Sequence, residues 1–407
     1  MSNQTNTPYL TGQSTAYVAA NAAQPQQARP AQVWQAYQVS PAQWSYQGAP
    51  FASLNKAHRI STQVGALEVI LVIISVFGMF ASFRAISDGE VGILAPTVLA
   101  LMPLAVVIAV VRWVDRWEPE PRLLLWLTFL WGAGVATFVS AIVNTMAAEH
   151  VYVLTGDVAQ GDLVAAVVSA PLIEEASKAF ILLMLLWWRR GAIGGPVDGV
   201  VYAATTAAGF AFVENIFYFV MFHDELASVF VVRGVFSPFA HILFTAMTGL
   251  AIGFAARSAS RVAWLWWAPL GYAGAVALHA GWNISASAGA TTALWAQLPM
   301  LALLLVILAV LQRSELSLVQ WHLQPYVRAG LMQSWELAMV TVPAARQNAC
   351  RWAKRGGRKQ ALRDFQAGAV QLALARHRAA IGRHAFHAAE EQAHLTQLHQ
   401  ARLALLR

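Results

Sequence analysis

The sequence has little charge and almost no cysteine. Only 12% of its 407 residues are Asp, Glu, Lys or Arg, whereas 58% are hydrophobic. A water-soluble protein of this size would carry more charge on its surface, so the composition indicates a multi-pass membrane protein. The single cysteine, Cys350, excludes an intrachain disulfide and a Cys-x-x-Cys metal motif. Residues 1–60 have no charged segment followed by an apolar one, so we expect no signal peptide there.

Eight apolar runs lie between residues 64 and 312, and each is long enough to cross a bilayer as a helix of about 20 residues. They are residues 64–86, 93–114, 123–147, 162–189, 196–222, 234–257, 262–286 and 291–312. We therefore predict an all-α polytopic membrane protein with about eight transmembrane helices.

Three regions differ in composition. Residues 1–60 are rich in Gln, Pro and Ala, which predicts a disordered tail. Residues 61–312 hold the eight runs and form the predicted transmembrane domain. Residues 313–407 carry 14 of the 27 Lys and Arg residues and predict a basic, largely helical tail.

Basic residues mark one side of the predicted membrane. The loops after the even-numbered runs hold Arg112, Arg116, Arg122, Arg189, Arg190, Arg257 and Arg261. The loops after the first and fifth runs hold one basic residue each, Arg84 and Arg233, and those after the third and seventh hold none. The positive-inside rule therefore predicts a cell-membrane protein with both termini in the cytoplasm.

The fourth run contains the stretch Pro171-Leu-Ile-Glu-Glu-Ala-Ser-Lys178, which places three charges inside the predicted membrane. Each charge at that depth costs about 2.5 to 3.5 kcal/mol, so such residues indicate a functional site. Glu174 and Lys178 are four residues apart and share a helix face. Adjacent carboxylates in a medium of low dielectric constant cannot both ionise cheaply, which suits one of them to general acid–base catalysis. A buried ion pair that fixes helix packing remains an alternative, but it leaves Glu175 without a role.

Five more polar side chains interrupt apolar runs: Glu214, Asn215, His241, His279 and Asn283. At a rise of about 1.5 Å per residue, His241 and His279 lie about 10 Å from the predicted outer end of their runs. By the same rise Glu214 lies about 12 Å deep and Glu174 about 18 Å deep. We predict that all these residues converge on one site that opens to the extracytoplasmic side. Hydrogen bonding between helices is the alternative for Asn215 and Glu214.

Residues 112–283 resemble the PrsW-type intramembrane proteases, which are distantly related to the CAAX prenyl endopeptidases. The resemblance depends on four motifs in the expected order, each in its own run. These are Glu174-Glu-Ala-Ser-Lys178, Phe210-Ala-Phe-Val-Glu-Asn215, His241 with Gly249 eight residues later, and His279-Ala-Gly-Trp-Asn283. It implies an endopeptidase that cleaves a membrane-anchored protein near the extracytoplasmic face, such as the first cleavage of an anti-sigma factor.

The motifs suggest a role for each residue. Glu174 or Glu175 would be the general base that activates water, with Glu174 favoured and Glu175 in support. His241 would hold the water, and His279 and Asn283 would donate to the oxyanion. Lys178, Glu214 and Asn215 would support these groups. In a metal-dependent variant one zinc ion would be held by His241, His279 and Glu174, and the sequence does not choose between no cofactor and zinc.

Other interpretations concern the partners. A non-catalytic membrane scaffold or a transporter could use the same polar residues. The basic tail suits anionic lipid headgroups, and no nucleic-acid motif is present, so we expect no nucleic acid as a partner. Glu68, at the start of the first run, is expected to be exposed at the bilayer interface.

Overall fold

The computed structural model describes residues 64–87, 92–116, 119–189, 191–236, 238–258, 260–380 and 388–406. The predicted disordered tail at residues 1–60 lies outside them. Within the described ranges all regular structure is helical and no β-strand occurs. The predicted all-α class is therefore confirmed.

Fifteen α-helices occur in the described ranges. They are α1 Ala66–Ser87, α2 Leu94–Val114, α3 Arg122–Trp131, α4 Thr137–Thr155, α5 Val158–Val164, α6 Ala170–Trp188, α7 Pro196–Met221, α8 Leu226–Phe230, α9 Ala240–Arg257, α10 Trp264–Ser287, α11 Ala290–Arg328, α12 Ser334–Thr341, α13 Pro343–Arg355, α14 Lys359–Ala380 and α15 Ala388–Leu406. Three π-helical segments join neighbouring helices: Gly132–Ala136 between α3 and α4, Ala165–Ser169 between α5 and α6, and Val231–Phe236 between α8 and α9.

Six helical stretches in the described residues are long and apolar enough to cross a membrane. They are Ala66–Arg84, Leu94–Val114, Arg122–Thr155, Pro196–Met221, His223–Arg257 and Thr291–Arg328. The fourth and seventh predicted runs form helix 158–188 and α10. These two helices carry Glu174, Glu175, Lys178 and His279. The protein is a multi-pass membrane protein, and the predicted number of about eight spans is approximate.

Helix α7 is mostly buried and packs closely against α9. A Cβ atom on Gly249 would lie 2.3 Å from the carbonyl oxygen of Gly199, and one on Gly199 would lie 2.1 Å from the carbonyl oxygen of Gly249. Two helix backbones can approach this closely only where neither residue has a side chain. The contact fixes α7 against α9, and these helices carry Glu214 and His241.

An ion pair joins the start of α1 to the end of α6. Arg189 contacts the carboxylate of Glu68, whose exposed fraction is only 1%. The expectation that Glu68 is exposed at the interface is therefore wrong, because a cation 121 residues further along the chain covers it. Glu68 lies at the start of the first predicted run and Arg189 at the end of the fourth. If successive runs cross the membrane in alternating directions, these two ends lie on the same side, so the ion pair agrees with the predicted topology.

Residues 313–380 and 388–406 form a helical bundle with its own buried core. Leu323, Phe365 and Leu372 are completely buried there. Arg402 donates to both carboxylate oxygens of Glu336 at 2.6 Å. The bundle is continuous with the last span, because α11 runs through the predicted domain boundary at residue 312 without a break.

Candidate active site

Helix α6 places three charged side chains in the interior of the bundle. Glu174 is 6% exposed, while Glu175 and Lys178 are fully buried. The ammonium of Lys178 lies 3.0 Å from Oε1 of Glu175 and 3.3 Å from Oε2 of Glu174. It also lies 3.7 Å from the ring centre of Phe210. One ammonium therefore serves both carboxylates, which reduces the cost of burying them.

Both motif histidines join this cluster. Nδ1 of His279 lies 3.1 Å from Oε1 of Glu175, and its Nε2 lies 3.8 Å from Oε2 of Glu174. Nδ1 of His241 lies 3.3 Å from the ammonium of Lys178. The two imidazole rings are 5.2 Å apart and nearly perpendicular. The structure thus brings α6, α9 and α10 together at one point.

The two glutamates have different surroundings. Glu175 is enclosed by partners, because Lys178, His279 and Thr245 all contact its carboxylate, the last at 2.8 Å. Glu174 instead lies on the wall of a cavity. A carboxylate with its partners in place is suited to support, whereas one that faces a cavity can reach a water molecule.

Glu214 and Asn215 form the outer part of the cluster together with an arginine. Oε2 of Glu214 lies 2.7 Å from Nε2 of His241 and 2.6 Å from the guanidinium of Arg233. Arg233 also donates through Nε to Oδ1 of Asn215 at 2.9 Å. The pair on α7 is therefore connected to the His241 side of the site.

Asn283 lies on the cavity wall, one helical turn after His279. Its Nδ2 donates to the backbone carbonyl of Ala166 at 2.7 Å. That carbonyl belongs to the π-helical segment Ala165–Ser169. Such segments are frequent at functional sites because they free backbone groups from the helical ladder. The bond orients the amide group of Asn283 and leaves its second N–H for another acceptor.

The site cavity has a volume of about 460 Å³. It extends from the carboxylate of Glu174 to Asp162 and Ser287, which are exposed. The positive-inside rule predicts that the helix ends around it lie on the extracytoplasmic side. Its wall is formed by Thr137, Ser140, Ala141, Asn144, Asp162, Ala165, Ala166, Ala170, Glu174, Phe210, Glu214, Phe217, Tyr218, Arg233, His241, Trp282, Asn283, Ala286 and Ser287.

Three residues of the cluster could hold a metal ion. Single donor atoms of Glu174, His241 and His279 all lie within 4.8 Å of one another. Two imidazoles and one carboxylate are a ligand set that zinc accepts. Each histidine also contacts a second carboxylate, as metal-bound histidines commonly do. The residues present therefore fit a zinc ion, although the ammonium of Lys178 lies 3.3 Å from both Glu174 and His241 and would repel it.

Several residues of the cluster were missed from the sequence. Thr245 and Tyr218 are ordinary in a transmembrane helix, so nothing in the pattern distinguishes them. Phe210 begins one of the family motifs, but its contact with Lys178 is not visible in the sequence. In the sequence, Arg233 serves only to predict the orientation of the helices. Its position in a predicted outer loop, against the positive-inside rule, is a signal that could have revealed it.

The fold and this cluster define a class: helical multi-pass membrane proteins with a buried carboxylate–histidine site. Within that class, residues 120–311 match the PrsW family intramembrane metalloproteases. The resemblance to this family, inferred above from the motifs, is confirmed over that segment.

Curated relatives agree with this family match. The chain is 29% identical over 154 residues to Protease PrsW of Geobacillus kaustophilus, a match that covers 38% of this chain and 64% of that protein. It is 30% identical over 152 residues to Protease PrsW of Clostridioides difficile, covering 37% and 62%. It is 28% identical over 153 residues to Protease PrsW of Bacillus subtilis, covering 37% and 65%. The chain thus spans less than two thirds of the length of these relatives. No solved structure matches it significantly.

Proposed function

We propose that this chain is an intramembrane endopeptidase that hydrolyses a peptide bond of a membrane-anchored protein near the extracytoplasmic face. One observation carries the proposal: Glu174 faces a cavity of about 460 Å³ while its other neighbours are a cation and two histidines. A carboxylate in that position can take a proton from a water molecule and pass it on. The match to a family of intramembrane metalloproteases points to the same reaction, hydrolysis of a peptide bond.

Glu174 is the general base that activates the water molecule in this proposal. Donor atoms of Glu174, His241 and His279 lie within 4.8 Å of one another, so a water molecule between them is within hydrogen-bond distance of all three, at about 2.8 Å. Glu174 removes a proton as the water oxygen forms a bond to the substrate carbonyl carbon. The same carboxyl group then returns that proton to the leaving amine when the C–N bond breaks.

Asn283 stabilises the oxyanion of the tetrahedral intermediate. Its amide is held by Ala166, and its second N–H is available for the oxyanion. Removal of one such donor in other enzymes costs about 2.7 to 4 kcal/mol of transition-state stabilisation.

The geometry favours a role for His279 that differs from the predicted donation to the oxyanion. Its Nδ1 is engaged with Glu175, so Nε2 faces Glu174 and serves the water.

A zinc ion, if bound, would be held by Glu174, His241 and His279. It would act as a Lewis acid that polarises water or the substrate carbonyl. We favour activation of water by the glutamate alone, because Lys178 already supplies a positive charge between Glu174 and His241.

The substrate is a membrane-anchored protein, because the cavity lies among helices that cross the bilayer. The resemblance points to the first cleavage of an anti-sigma factor. Small residues line much of the cavity, among them Ala141, Ala165 and Ala166, and leave room for an extended chain. The predicted orientation, with both termini in the cytoplasm, places this cavity on the extracytoplasmic side.

In this proposal the basic C-terminal bundle, residues 313–380 and 388–406, contacts anionic lipid headgroups. Arg351, Lys354, Arg355 and Lys359 are all exposed around the end of α13. Each basic residue near an anionic surface contributes about 1 kcal/mol. The contact is measured by comparing how the wild type and a variant with all four residues changed to glutamine bind phosphatidylserine-containing nanodiscs across a salt gradient.

The test is cleavage of fluorogenic single-span peptides in proteoliposomes that contain wild-type protein, Glu174→Gln, Glu175→Gln or Glu149→Gln. Glu149 is an exposed acid on the same predicted side and serves as the matched control. We expect Glu174→Gln to abolish cleavage, Glu175→Gln to reduce it strongly, and Glu149→Gln to leave it unchanged. If both Glu174→Gln and Glu175→Gln cleave like the wild type, the endopeptidase proposal is overturned and a scaffold becomes the leading interpretation.

A further inference from the structure

Arg233 forms three contacts with one face of α7. It donates to Oε2 of Glu214 at 2.6 Å and to Oδ1 of Asn215 at 2.9 Å. Its guanidinium also lies 3.8 Å from the ring centre of Tyr218. Its side chain is only 17% exposed. Planar guanidinium groups suit this combination of a carboxylate, an amide and an aromatic face, and an ammonium cannot reproduce it.

The carboxylate oxygen that Arg233 contacts is shared with a site histidine. Oε2 of Glu214 lies 2.6 Å from Arg233 and 2.7 Å from Nε2 of His241. A carboxylate accepts hydrogen bonds, so Nε2 of His241 carries a proton. The other ring nitrogen, Nδ1, lies 3.3 Å from the ammonium of Lys178, which can only donate. These two neighbours fix the tautomer of His241, with its lone pair on Nδ1.

The positive charge of Arg233 matters to this arrangement. Glu214 is 16% exposed and needs a cation close by. Arg233 supplies it, so Glu214 is held between the guanidinium group and Nε2 of His241.

Sequence and backbone both favour a functional role for Arg233. It is one of two basic residues in the predicted outer loops, where the positive-inside rule disfavours arginine. It also lies in the π-helical segment Val231–Phe236, directly before the helix that starts at Ala240 and carries His241. Segments of this kind are often found at functional sites.

We infer that Arg233 is a positioning residue of the site: through Glu214 it fixes the orientation of the His241 ring, so that Nδ1 faces Lys178. This inference rests on the proposed endopeptidase function. Arg233 also lies on the cavity wall, so direct contact with the substrate is the competing role that the experiment must separate.

The experiment compares wild-type protein with Arg233→Gln, Arg233→Lys and the control Arg84→Gln. Arg84 is exposed near the predicted outer end of α1, so its variant removes the other basic residue of the same side. Cleavage of the fluorogenic peptide gives kcat and KM separately. Nitrogen-15 NMR of labelled histidine, assigned with His241→Asn, gives the protonation state of the His241 ring without any substrate.

We expect Arg233→Gln to lower kcat about 10- to 100-fold, the range found for partners that orient metal-bound histidines, with KM changed less than about threefold. Arg233→Lys should recover part of kcat, because it keeps the charge and loses the planar contacts. The NMR signal of His241 should be that of the Nε2–H tautomer in the wild type and in Arg233→Lys. It should change in Arg233→Gln, and Arg84→Gln should match the wild type in both measurements.

Three results would overturn the inference. In the first, Arg233→Gln keeps the wild-type kcat. In the second, KM rises while kcat and the NMR signal stay unchanged, which identifies a substrate contact. In the third, kcat falls only in proportion to lost folded protein, with the tautomer unchanged. Absence of any Glu174-dependent cleavage in the wild type would count against the endopeptidase proposal, and the NMR comparison would still decide the role of Arg233.

Discussion

Thr245 donates its hydroxyl to Oε2 of Glu175 across 2.8 Å, and both residues are fully buried. A Thr245→Val variant keeps the shape of the side chain and removes this donor from a buried carboxylate. We expect a loss of about 1–3 kcal/mol in the free energy of unfolding, together with slower cleavage. Denaturant titration in detergent micelles measures the first effect and the peptide assay the second.

The matched control for that variant is Thr248→Val. Thr248 lies on the same helix and is also buried, but its hydroxyl has no hydrogen-bond partner among the described residues. Its replacement should be close to neutral. Equal losses in the two variants would mean that the bond between Thr245 and Glu175 contributes nothing specific.

A second prediction concerns the cation of the cluster. Lys178→Met leaves Glu174 and Glu175 buried without their shared ammonium, and breaking a buried pair costs about 3–5 kcal/mol of stability. The variant should lose cleavage and bind Zn²⁺ at least about tenfold more tightly than the wild type, because an ammonium 3.3 Å from two of the donor residues no longer repels the ion. Calorimetric titration of the detergent-solubilised protein measures the affinity.

Chelation separates the two mechanisms in the wild-type protein. Cleavage by the wild type should survive dialysis against a zinc chelator. In the control variant Lys178→Arg the positive charge is kept, so this variant should bind Zn²⁺ no more tightly than the wild type. If the chelator abolishes cleavage and added zinc restores it, water activation by the glutamate alone is the wrong mechanism.

A third prediction tests the close approach of α7 and α9. A Cβ atom on Gly249 would lie 2.3 Å from the carbonyl oxygen of Gly199, so Gly249→Ala must push the two helices apart. Overpacking of this kind costs about 1–3 kcal/mol, and cleavage should fall because Glu214 and His241 lie on the separated helices. The thermal unfolding midpoint in detergent measures the stability loss.

Gly281→Ala is the control for helix packing. Gly281 lies inside α10, and a methyl group added there would meet no atom within 4 Å among the described residues. Alanine is favoured over glycine in a helix by about 0.5–1 kcal/mol, so this variant should be at least as stable as the wild type. A midpoint for Gly249→Ala as high as that of Gly281→Ala would contradict the tight packing.

A fourth prediction concerns pH. Asp115 lies after the end of α2, and burial, with a smaller effect from the charge of Asp198, raises its pKa from 3.8 to about 7. The folded protein therefore keeps this proton up to about pH 7, whereas the unfolded chain loses it near pH 4. The stability that the protonated group contributes is complete below about pH 4 and is lost as the pH rises to about 7.

Asp115→Asn should remove this dependence. The amide is neutral at every pH and still offers an acceptor to the backbone N–H of Glu120, which Oδ1 of Asp115 contacts at 3.1 Å. Thermal midpoints at pH 5 and pH 8 should differ less in the variant than in the wild type. Identical differences in the two proteins would show that Asp115 does not titrate in this range.

The apolar runs and the charged motifs are the features that the sequence displays well. A hydrocarbon environment makes every run of about 20 apolar residues, and every glutamate within one, conspicuous. Such patterns say nothing about hydroxyl and aromatic partners, so the contacts of Thr245 with Glu175 and of Phe210 with Lys178 could not be predicted. The partner of Glu68 was missed because Arg189 is distant in the sequence and only tertiary packing brings the two together.

The π-helical segments and the full length of α11 could not be predicted from the sequence either. The bond from Asn283 to Ala166 depends on a π-helical segment, and neither hydropathy nor spacing predicts a single widened turn. Hydropathy also ends the last span at residue 312, because the residues that follow are polar. The helix nevertheless continues to Arg328, since packing in the C-terminal bundle supports it beyond the apolar part.

Helix α11 connects the last predicted span directly to the C-terminal bundle. It has 39 residues, which at about 1.5 Å per residue makes a rod about 58 Å long. One end lies beside the helix that carries His279 and Asn283, and the other is built into the C-terminal bundle. A tilt of about 5° at one end of a rod of that length displaces the other by about 5 Å. The last span and the C-terminal bundle therefore share one continuous helix, in which Pro299 and Pro325 are the two positions that lack a backbone N–H for the helical ladder.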